Sequence, residues 1–157
     1  MSLDSRPNLT IEIATPAHRE AVVELLAAQL VEHDIELHPE HLQYAVNGFF
    51  EDSRRGRILV ALTENQVVGV AVLSITWTLE HGGKSCWLDE LYVRPEFRAF
   101  GVGTTLLRKA FEVMAADGCI CMDLEVESSH ARAANLYVRE GFRVHTRTRY
   151  VRVLRQG

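Results

Sequence analysis

Apolar and polar residues follow regular spacings along most of the chain, and the spacing changes several times. Residues 9–13 alternate, which predicts a first β-strand. Thr15 and Pro16 are typical of a helix start, an N-cap followed by proline at the first helical position, and His38 and Pro39 predict the start of a second helix. The positions expected to face inward are Val22, Leu25, Leu26, Gln29 and Leu30 in the first helix and Leu42, Ala45, Val46 and Phe49 in the second.

The middle of the chain shows strand patterns. Residues 57–62 predict one strand, residues 63–66 a turn and residues 67–78 a longer strand. Residues 67–73 are apolar on both faces, so we expect this strand to be central in the sheet. A turn at Gly82 and Gly83 leads to a further strand over residues 87–93, which Pro95 ends because proline cannot donate a ladder hydrogen bond.

The C-terminal half mixes the two periodicities. Apolar residues at helical spacing begin at Thr104, residues 119–126 alternate, and residues 131–140 predict a helix ended by Gly141. Residues 142–154 predict a last strand or a hairpin. The order β-α-α-β-β-β-α-β-α-β predicts an α/β fold of the mixed α+β kind, with helices on both faces of one sheet. Since no Pro-, Gly- or Ser-rich linker divides the chain, we expect a single domain over residues 1–157.

The loop between the strand at residues 87–93 and the next helix has the chemistry of an anion site. Backbone N–H groups at a helix N-terminus are unpaired, and the helix dipole favours negative charge there. Gly101 and Gly103 let the backbone approach a ligand, and Arg98 adds positive charge. The Walker motif is excluded because no Lys follows the last glycine, and the dinucleotide fingerprint is excluded because a third glycine is missing.

Two motifs together resemble the GNAT superfamily of acetyl-CoA-dependent N-acetyltransferases. The first is Arg98-x-x-Gly101-x-Gly103 after a strand that ends Leu91-Tyr92-Val93. The second is a strand, helix and strand: Leu124-Glu125-Val126, Ala133-Ala134-Asn135-Leu136-Tyr137 and Gly141-Phe142. The two motifs cover the C-terminal half in the expected order, and the pair is far more specific than either motif alone.

The resemblance implies a fold and a cofactor. The fold is a twisted, mostly antiparallel mixed sheet in which the central strand and the next one splay apart to admit the pantetheine arm. Acetyl-CoA is the expected acyl donor, with its acyl arm along the strand end and its pyrophosphate on the loop amides. The expected cofactor-binding residues are Leu91, Tyr92, Val93, Arg98, Ala99, Phe100, Gly101, Val102, Gly103, Thr104, His130 and Asn135.

The sequence departs from the family pattern at two of these positions. Ala99 stands where many members have a third glycine, and we expect an alanine to be tolerated if its φ angle is negative. His130 stands where asparagine is frequent before the last helix, although an imidazole can still donate a hydrogen bond to the cofactor. Asn135 would reach the CoA chain by resemblance, or it is an ordinary surface residue.

Acetyl transfer from a thioester to an amine needs a base, because an alkylamine with a pKa of about 10.4 is protonated at neutral pH. Asp89 and Glu90 alternate on a strand, so we expect only one to face the acceptor cleft, and we favour Glu90 over a merely solvated carboxylate. Glu125 is a third candidate. By resemblance, Tyr137 lies beside the CoA sulfur as general acid; otherwise it packs in the core.

Composition and charge limit the cellular compartments and the kinds of partner that we expect. The formal net charge of −4 argues against nucleic acid as a main partner. No apolar run is long enough for a membrane span, and no secretory signal is visible at the N-terminus. The three cysteines, Cys86, Cys119 and Cys121, form no C-x-x-C pair, which favours a reduced cytoplasmic setting and argues against a zinc or other metal site.

The expected acceptor follows from a run of acidic residues. Residues 32–41 hold four carboxylates and three histidines without Lys or Arg, and in the resemblance this segment roofs the acceptor side of the cleft. A cleft lined by one sign of charge concentrates ligands of the other sign, so we expect a small cationic amine, attacked directly in a ternary complex. A solvated helix end is the rival interpretation of this run.

Three other functions stay open from the sequence. One is acetylation of a protein N-terminus or lysine, and another is a GNAT-like module that binds acyl-CoA without chemistry. A nucleotide-phosphate binder is weaker, since no magnesium-ligand motif accompanies the loop. A homodimer is expected from the resemblance, because many relatives pair.

Overall fold

The structure is a computed structural model that describes residues 8–155. These residues fall into two compact units, within Met1–Glu125 and Val126–Gly157. The strands are β1 (Leu9–Ile13), β2 (Gly56–Thr63), β3 (Gln66–Thr78), β4 (Gly83–Val93) and β5 (Met122–Leu124). The helices are α1 (Arg19–Glu32), α2 (Pro39–Glu51), α3 (Val102–Ala116) and α4 (Ala131–Arg139), with 3₁₀ turns at Pro16–His18 and Pro95–Phe97.

The first unit is built on a five-stranded sheet in the order β1-β2-β3-β4-β5. The first four strands are antiparallel neighbours, and β5 lies parallel to β4. Strand β3 is therefore in the middle, as its two-sided apolar pattern predicted, and Val68, Val70, Ala71 and Leu73 are fully buried.

Helices cover both faces of this sheet, which confirms the predicted α/β class. On one face, Leu25 of α1 and Val46 of α2 belong to a core that includes Val60 of β2 and Val70 of β3. On the other face α3 lies so close to the central strand that a Cβ at Gly69 would stand 2.9 Å from Leu106 Cδ1. A side chain at this position would have to displace the end of the Leu106 side chain, so the glycine lets the helix pack closely on the strand.

Several predicted boundaries shift. Strand β4 starts at Gly83 rather than residue 87, α3 starts at Val102 rather than Thr104, and only Met122–Leu124 of the predicted strand over residues 119–126 is a strand. Ala45 is exposed, although the helical pattern placed it inward. No helix in residues 8–155 combines the length and apolarity needed to cross a membrane.

The second unit contains α4. Gly141 ends this helix at φ 96°, and the Phe142 N–H donates to the Tyr137 carbonyl at 2.9 Å, as predicted for a glycine C-cap. The predicted strand or hairpin over residues 142–154 is wrong, because none of these residues is in a strand. Alternation favours a strand, but a strand also needs ladder partners, and no described residue of this unit supplies one. A single domain over residues 1–157 stays a prediction.

Candidate active site

The end of strand β4 is open along one edge. Only three residue pairs join β4 to β5, the last being Leu88 with Leu124. Strand β4 continues to Val93 and remains paired with β3 along that length. The backbone groups of β4 beyond Leu88 that face β5 therefore lie outside the β4–β5 ladder. The resemblance implied that the central strand separates from the next one. That expectation is wrong, because β3 and β4 stay paired along this length. The separation begins one strand further on, between β4 and β5.

A β-bulge at Asp89 changes which way the two adjacent carboxylates point. Leu73 pairs with Leu88 and Val72 pairs with Glu90, so Asp89 has no partner position on β3. The Ser74 hydroxyl donates a hydrogen bond to the Asp89 carboxylate.

The bulge contradicts the expected alternation of the two carboxylates. Ser74 and Val72 lie two residues apart on β3 and so share a face, which is the face that α1 and α2 cover. Because Asp89 contacts the Ser74 side chain and Glu90 lies opposite Val72, both carboxylates project to this face. The sequence pattern could not show this, since an inserted bulge residue reverses the alternation.

The surroundings of Glu90 suit a proton acceptor. Burial, followed by the nearby negative charge of Asp89, raises the pKa of the Glu90 carboxyl above its usual value of 4.5, while a hydrogen bond from Gln29 opposes the rise. Gln29 lies on α1 with only 8% of its surface exposed. A half-buried carboxylate with a raised pKa accepts a proton more readily than a solvated one.

The loop after β4 has two residues in the left-handed region, Ala99 at φ 70° and Gly101 at φ 77°. The condition under which we expected an alanine to be tolerated, a negative φ, is therefore not met. For a residue with a Cβ, this conformation costs about 1–2 kcal/mol. Ala99 adopts this conformation where the loop turns sharply between the 3₁₀ turn Pro95–Phe97 and the N-terminus of α3. Gly101 is the N-cap of that helix.

A pocket of about 410 Å³ lies at this helix N-terminus. Its lining residues are Ala99, Phe100, Gly101, Thr104, Thr105 and Arg108. The first backbone hydrogen bond of the helix runs from the Thr105 N–H to the Gly101 carbonyl at 3.0 Å. The N–H groups of Val102, Gly103 and Thr104 precede that bond, as expected at a helix start.

Arg108 is a pocket residue that we did not predict from the sequence. It lies seven positions after Gly101, two helical turns along the face that carries Thr104. This spacing is the signal that would have identified it. It brings a guanidinium to the pocket that holds the helix N-terminus.

Arg98 does not line that pocket, and its guanidinium is hydrogen-bonded elsewhere. Its two terminal nitrogens donate to the two Glu32 carboxylate oxygens, both at 2.8 Å, and its Nε donates to the Val93 carbonyl at 2.9 Å. It also lies over the Tyr92 ring, 5.3 Å from the ring centre. In this structure the guanidinium therefore joins the end of α1 to the end of β4, and the Arg98 contact lowers the pKa of Glu32.

The remaining predicted contacts near the loop are of two kinds. Tyr92 and Val102 are buried in the core. Leu91 is half-buried, and the Phe100 side chain is about half exposed beside the pocket.

The other predicted site residues belong to the second unit. His130 is the N-cap of α4, and its carbonyl accepts from the Ala134 N–H at 3.1 Å. Asn135 and Tyr137 lie on α4, where the Tyr137 ring meets the Phe142 ring edge-on at a centroid distance of 5.6 Å. Glu125, the third candidate base, ends the first unit and is exposed.

The acidic segment over residues 32–41 is exposed throughout. One of its carboxylates, Glu32, is neutralised by Arg98, and the Glu40 carboxylate lies 4.0 Å from His38 Nδ1. The segment thus offers less net negative charge than its four carboxylates suggested.

Comparison with known proteins agrees with this geometry. The family model for the Acetyltransferase (GNAT) family matches residues 19–142. The thialysine N-epsilon-acetyltransferase of Mus musculus is 31% identical over 123 residues, which cover 73% of this chain and 69% of that protein. The protein of the same name from Sus scrofa is 35% identical over 68 residues, but the match spans only 38% of its length.

Solved structures share the fold. An integron cassette protein from the mobile metagenome of Cole Harbour Salt Marsh has a TM-score of 0.83 at 22% identity, with 94% of this chain and 91% of that chain covered. The aminoglycoside N-acetyltransferase AAC(6')-Iy in complex with CoA has a TM-score of 0.82 at 16% identity, with 98% and 99% covered. At these sequence identities, the structural similarity shows a shared fold alone.

Proposed function

Since this chain belongs to the GNAT acetyltransferase family and is an acetyl-CoA-dependent N-acetyltransferase, we propose that it acetylates a small cationic amine by direct attack in a ternary complex. In this reaction the amine nitrogen bonds to the acetyl carbon, the carbon–sulfur bond of the thioester breaks, and one proton leaves the nitrogen while the CoA sulfur gains one. The observation that best supports the proposal is the open edge of β4, between the pocket at α3 and the half-buried Glu90.

The proposed cofactor site joins two features of the first unit. The pyrophosphate lies on the backbone N–H groups at the start of α3, with Arg108 adding positive charge. The acyl arm follows Leu91–Val93, where the β4 edge has no β5 partner. The solved aminoglycoside N-acetyltransferase of similar fold has CoA bound, which agrees with CoA as the ligand class.

We assign the base to Glu90. Its carboxylate takes the proton that the attacking amine must lose, directly or through water, and its raised pKa improves the match to this task. The oxyanion of the tetrahedral intermediate is assigned to a backbone N–H on the open edge of β4. Tyr137 is proposed to protonate the departing thiolate, on the strength of its place in the family motif.

A small cationic acceptor is supported by the named relatives and by the charge on this chain. The relatives with similar sequences are named for thialysine, and a solved structure of similar fold is an aminoglycoside acetyltransferase in complex with sisomicin. Here Asp89 and Glu90 project to the same face of the sheet, which places two carboxylates where a protonated amine would be stabilised.

A panel assay tests this function against its alternatives. The chain is incubated with acetyl-CoA and one acceptor at a time, and free CoA is measured with a thiol reagent while the product mass is recorded. The panel holds thialysine, linear diamines, an aminoglycoside, a neutral amine, and peptides with a free N-terminus or lysine. We expect turnover of the small cationic amines above the peptides. Peptide turnover alone would support the protein acetyltransferase, and CoA binding without any turnover would support the binding module.

A further inference from the structure

The turn between β3 and β4 brings a histidine to the outer strand of the first unit. His81 Nε2 lies 2.7 Å from Asp123 Oδ2, although the two residues are 42 positions apart in sequence. Both side chains are largely shielded, with 16% and 30% of their surfaces exposed. The His81 backbone is fixed by a hydrogen bond from its N–H to Thr78 Oγ1 at 3.4 Å.

Cys121 completes a group of three potential ligands. It precedes β5 directly and lies two residues from Asp123, so the two side chains leave the strand on the same side. Its carbonyl accepts from the Cys86 N–H at 2.9 Å, which holds this residue beside β4. One imidazole nitrogen, one sulfur and one carboxylate oxygen all lie within 4.8 Å of one another.

This donor set suits a borderline divalent cation. Zn²⁺ binds imidazole nitrogen and carboxylate oxygen at about 2.0–2.2 Å and thiolate sulfur at about 2.3 Å, commonly with three protein ligands and one water. Bond lengths of this size place tetrahedral donors about 3.3–3.8 Å apart, so the imidazole and the carboxylate need to separate by only about half an ångström. The metal would then replace the direct contact between these two side chains.

We propose that His81, Cys121 and Asp123 form a Zn²⁺ site with a water molecule as the fourth ligand. A thiolate and a carboxylate together neutralise the two charges of the cation. The site joins the β3–β4 turn to β5, next to the point at which β4 and β5 separate. From the sequence we expected no zinc site, because no pair of Cys or His residues has ligand spacing; the sheet, rather than local spacing, brings these ligands together.

The other cysteines provide a matched control. Cys86 is buried, and its thiol donates to the Cys121 carbonyl at 3.6 Å, outside the group of three ligands. Cys119 lies two residues before Cys121 and outside the group of three ligands. Cys119→Ser therefore changes the same chemistry on the same segment without removing a proposed ligand.

Zinc titration of the whole chain tests the site. Reduced protein, treated with a chelator and desalted, is titrated with ZnCl₂ by calorimetry, and the fold of each variant is checked by circular dichroism. We expect one Zn²⁺ per chain, with unchanged affinity in Cys119→Ser. Since loss of an outer partner of a metal ligand weakens binding by roughly 10–100-fold, loss of a ligand in Cys121→Ser or Asp123→Asn should weaken it at least as much.

Cobalt gives a second readout that does not depend on activity. Co²⁺ bound to a thiolate absorbs in the near ultraviolet, so we expect this band in the wild type and in Cys119→Ser and its loss in Cys121→Ser. The proposal is overturned if the wild type binds no stoichiometric Zn²⁺, if folded Cys121→Ser and Asp123→Asn bind as tightly as the wild type, or if the cobalt band follows Cys119 instead.

Discussion

Gln29 on helix α1 lies beside Glu90 on strand β4, and its amide holds down the pKa of the Glu90 carboxyl, which burial raises. Gln29 is buried and Glu90 is half-buried between helix and sheet. A carboxylate shielded from water is costly to charge, and the position of Glu90 beside the open edge of β4 supports its assignment to the reaction.

Glu90→Gln should lower kcat/KM at neutral pH by roughly 10²–10⁴-fold, the usual contribution of a general base. The variant keeps the shape of the side chain and an oxygen that can accept from Gln29. In the wild type, kcat/KM should fall as the pH decreases through the raised pKa of Glu90, above 4.5. That acid limb should be absent in the variant; a variant with wild-type rates and the same limb would remove Glu90 from the mechanism.

The same substitution should raise stability. A carboxyl whose folded-state pKa is raised contributes stability at low pH, and this contribution is lost as the pH rises through that pKa. Ionised Glu90 thus destabilises the fold at pH 7, so Glu90→Gln should have a higher Tm there. Well below pH 4.5 both chains are uncharged at this position and their Tm values should converge. Thermal unfolding followed by circular dichroism at the two pH values checks the sign.

Gly103→Val should abolish CoA binding. A branched side chain in the first turn of α3 would cover the backbone N–H groups that we assign to the pyrophosphate. Calorimetry with CoA measures the loss. Ala116→Val places the same side chain at an exposed position at the other end of the helix and should bind normally. Equal affinity in a folded Gly103→Val protein would show that the loop is not the cofactor site.

Substitution of Arg108 should affect CoA binding, whereas substitution of Arg98 should affect stability. Arg108 lines the pocket, so Arg108→Ala should weaken CoA binding about tenfold, as expected for a lost charge-assisted hydrogen bond. Arg98 is paired with Glu32 at a partly exposed site, and Arg98→Ala should cost about 1 kcal/mol, which lowers the Tm by roughly 2–4 °C. The reverse pattern, a binding loss confined to Arg98→Ala, would return Arg98 to the predicted phosphate contact.

Tyr137→Phe removes a hydroxyl and keeps the ring that meets Phe142. If Tyr137 is the general acid, kcat should fall by roughly 10²–10⁴-fold while the KM for acetyl-CoA changes little. Steady-state kinetics under conditions in which chemistry limits the rate provide the measurement. An unchanged kcat would show that Tyr137 is not the general acid and that its ring only packs against Phe142.

The sequence predicted the elements whose pattern is local. The alternation over residues 9–13, the two-sided apolar run of β3 and the proline start of α2 appear where expected, whereas Pro16 begins a 3₁₀ turn and α1 starts only at Arg19. The pocket also lies at the glycine loop that the sequence singled out. Each of these features depends on spacing within a few residues, which a single chain displays directly.

The features that the sequence missed depend on partners far along the chain. The bulge at Asp89 exists only in the register between β3 and β4, and it places both carboxylates on one face. The pairing of Arg98 with Glu32 likewise joins two residues that lie 66 positions apart. The strand expected over residues 142–154 had the right alternation, yet alternation does not supply a neighbouring strand.

The comparison of a linear diamine with a monoamine of equal length tests the central claim most directly. We predict a higher kcat/KM for the diamine, because the carboxylates near the cleft attract its second charge, and we predict that this advantage shrinks as ionic strength rises. Glu36→Gln combined with Glu40→Gln should reduce the same advantage, since both residues lie on the exposed acidic segment. Equal kcat/KM for the two amines at every salt concentration would contradict the cationic acceptor and leave only the acetyltransferase.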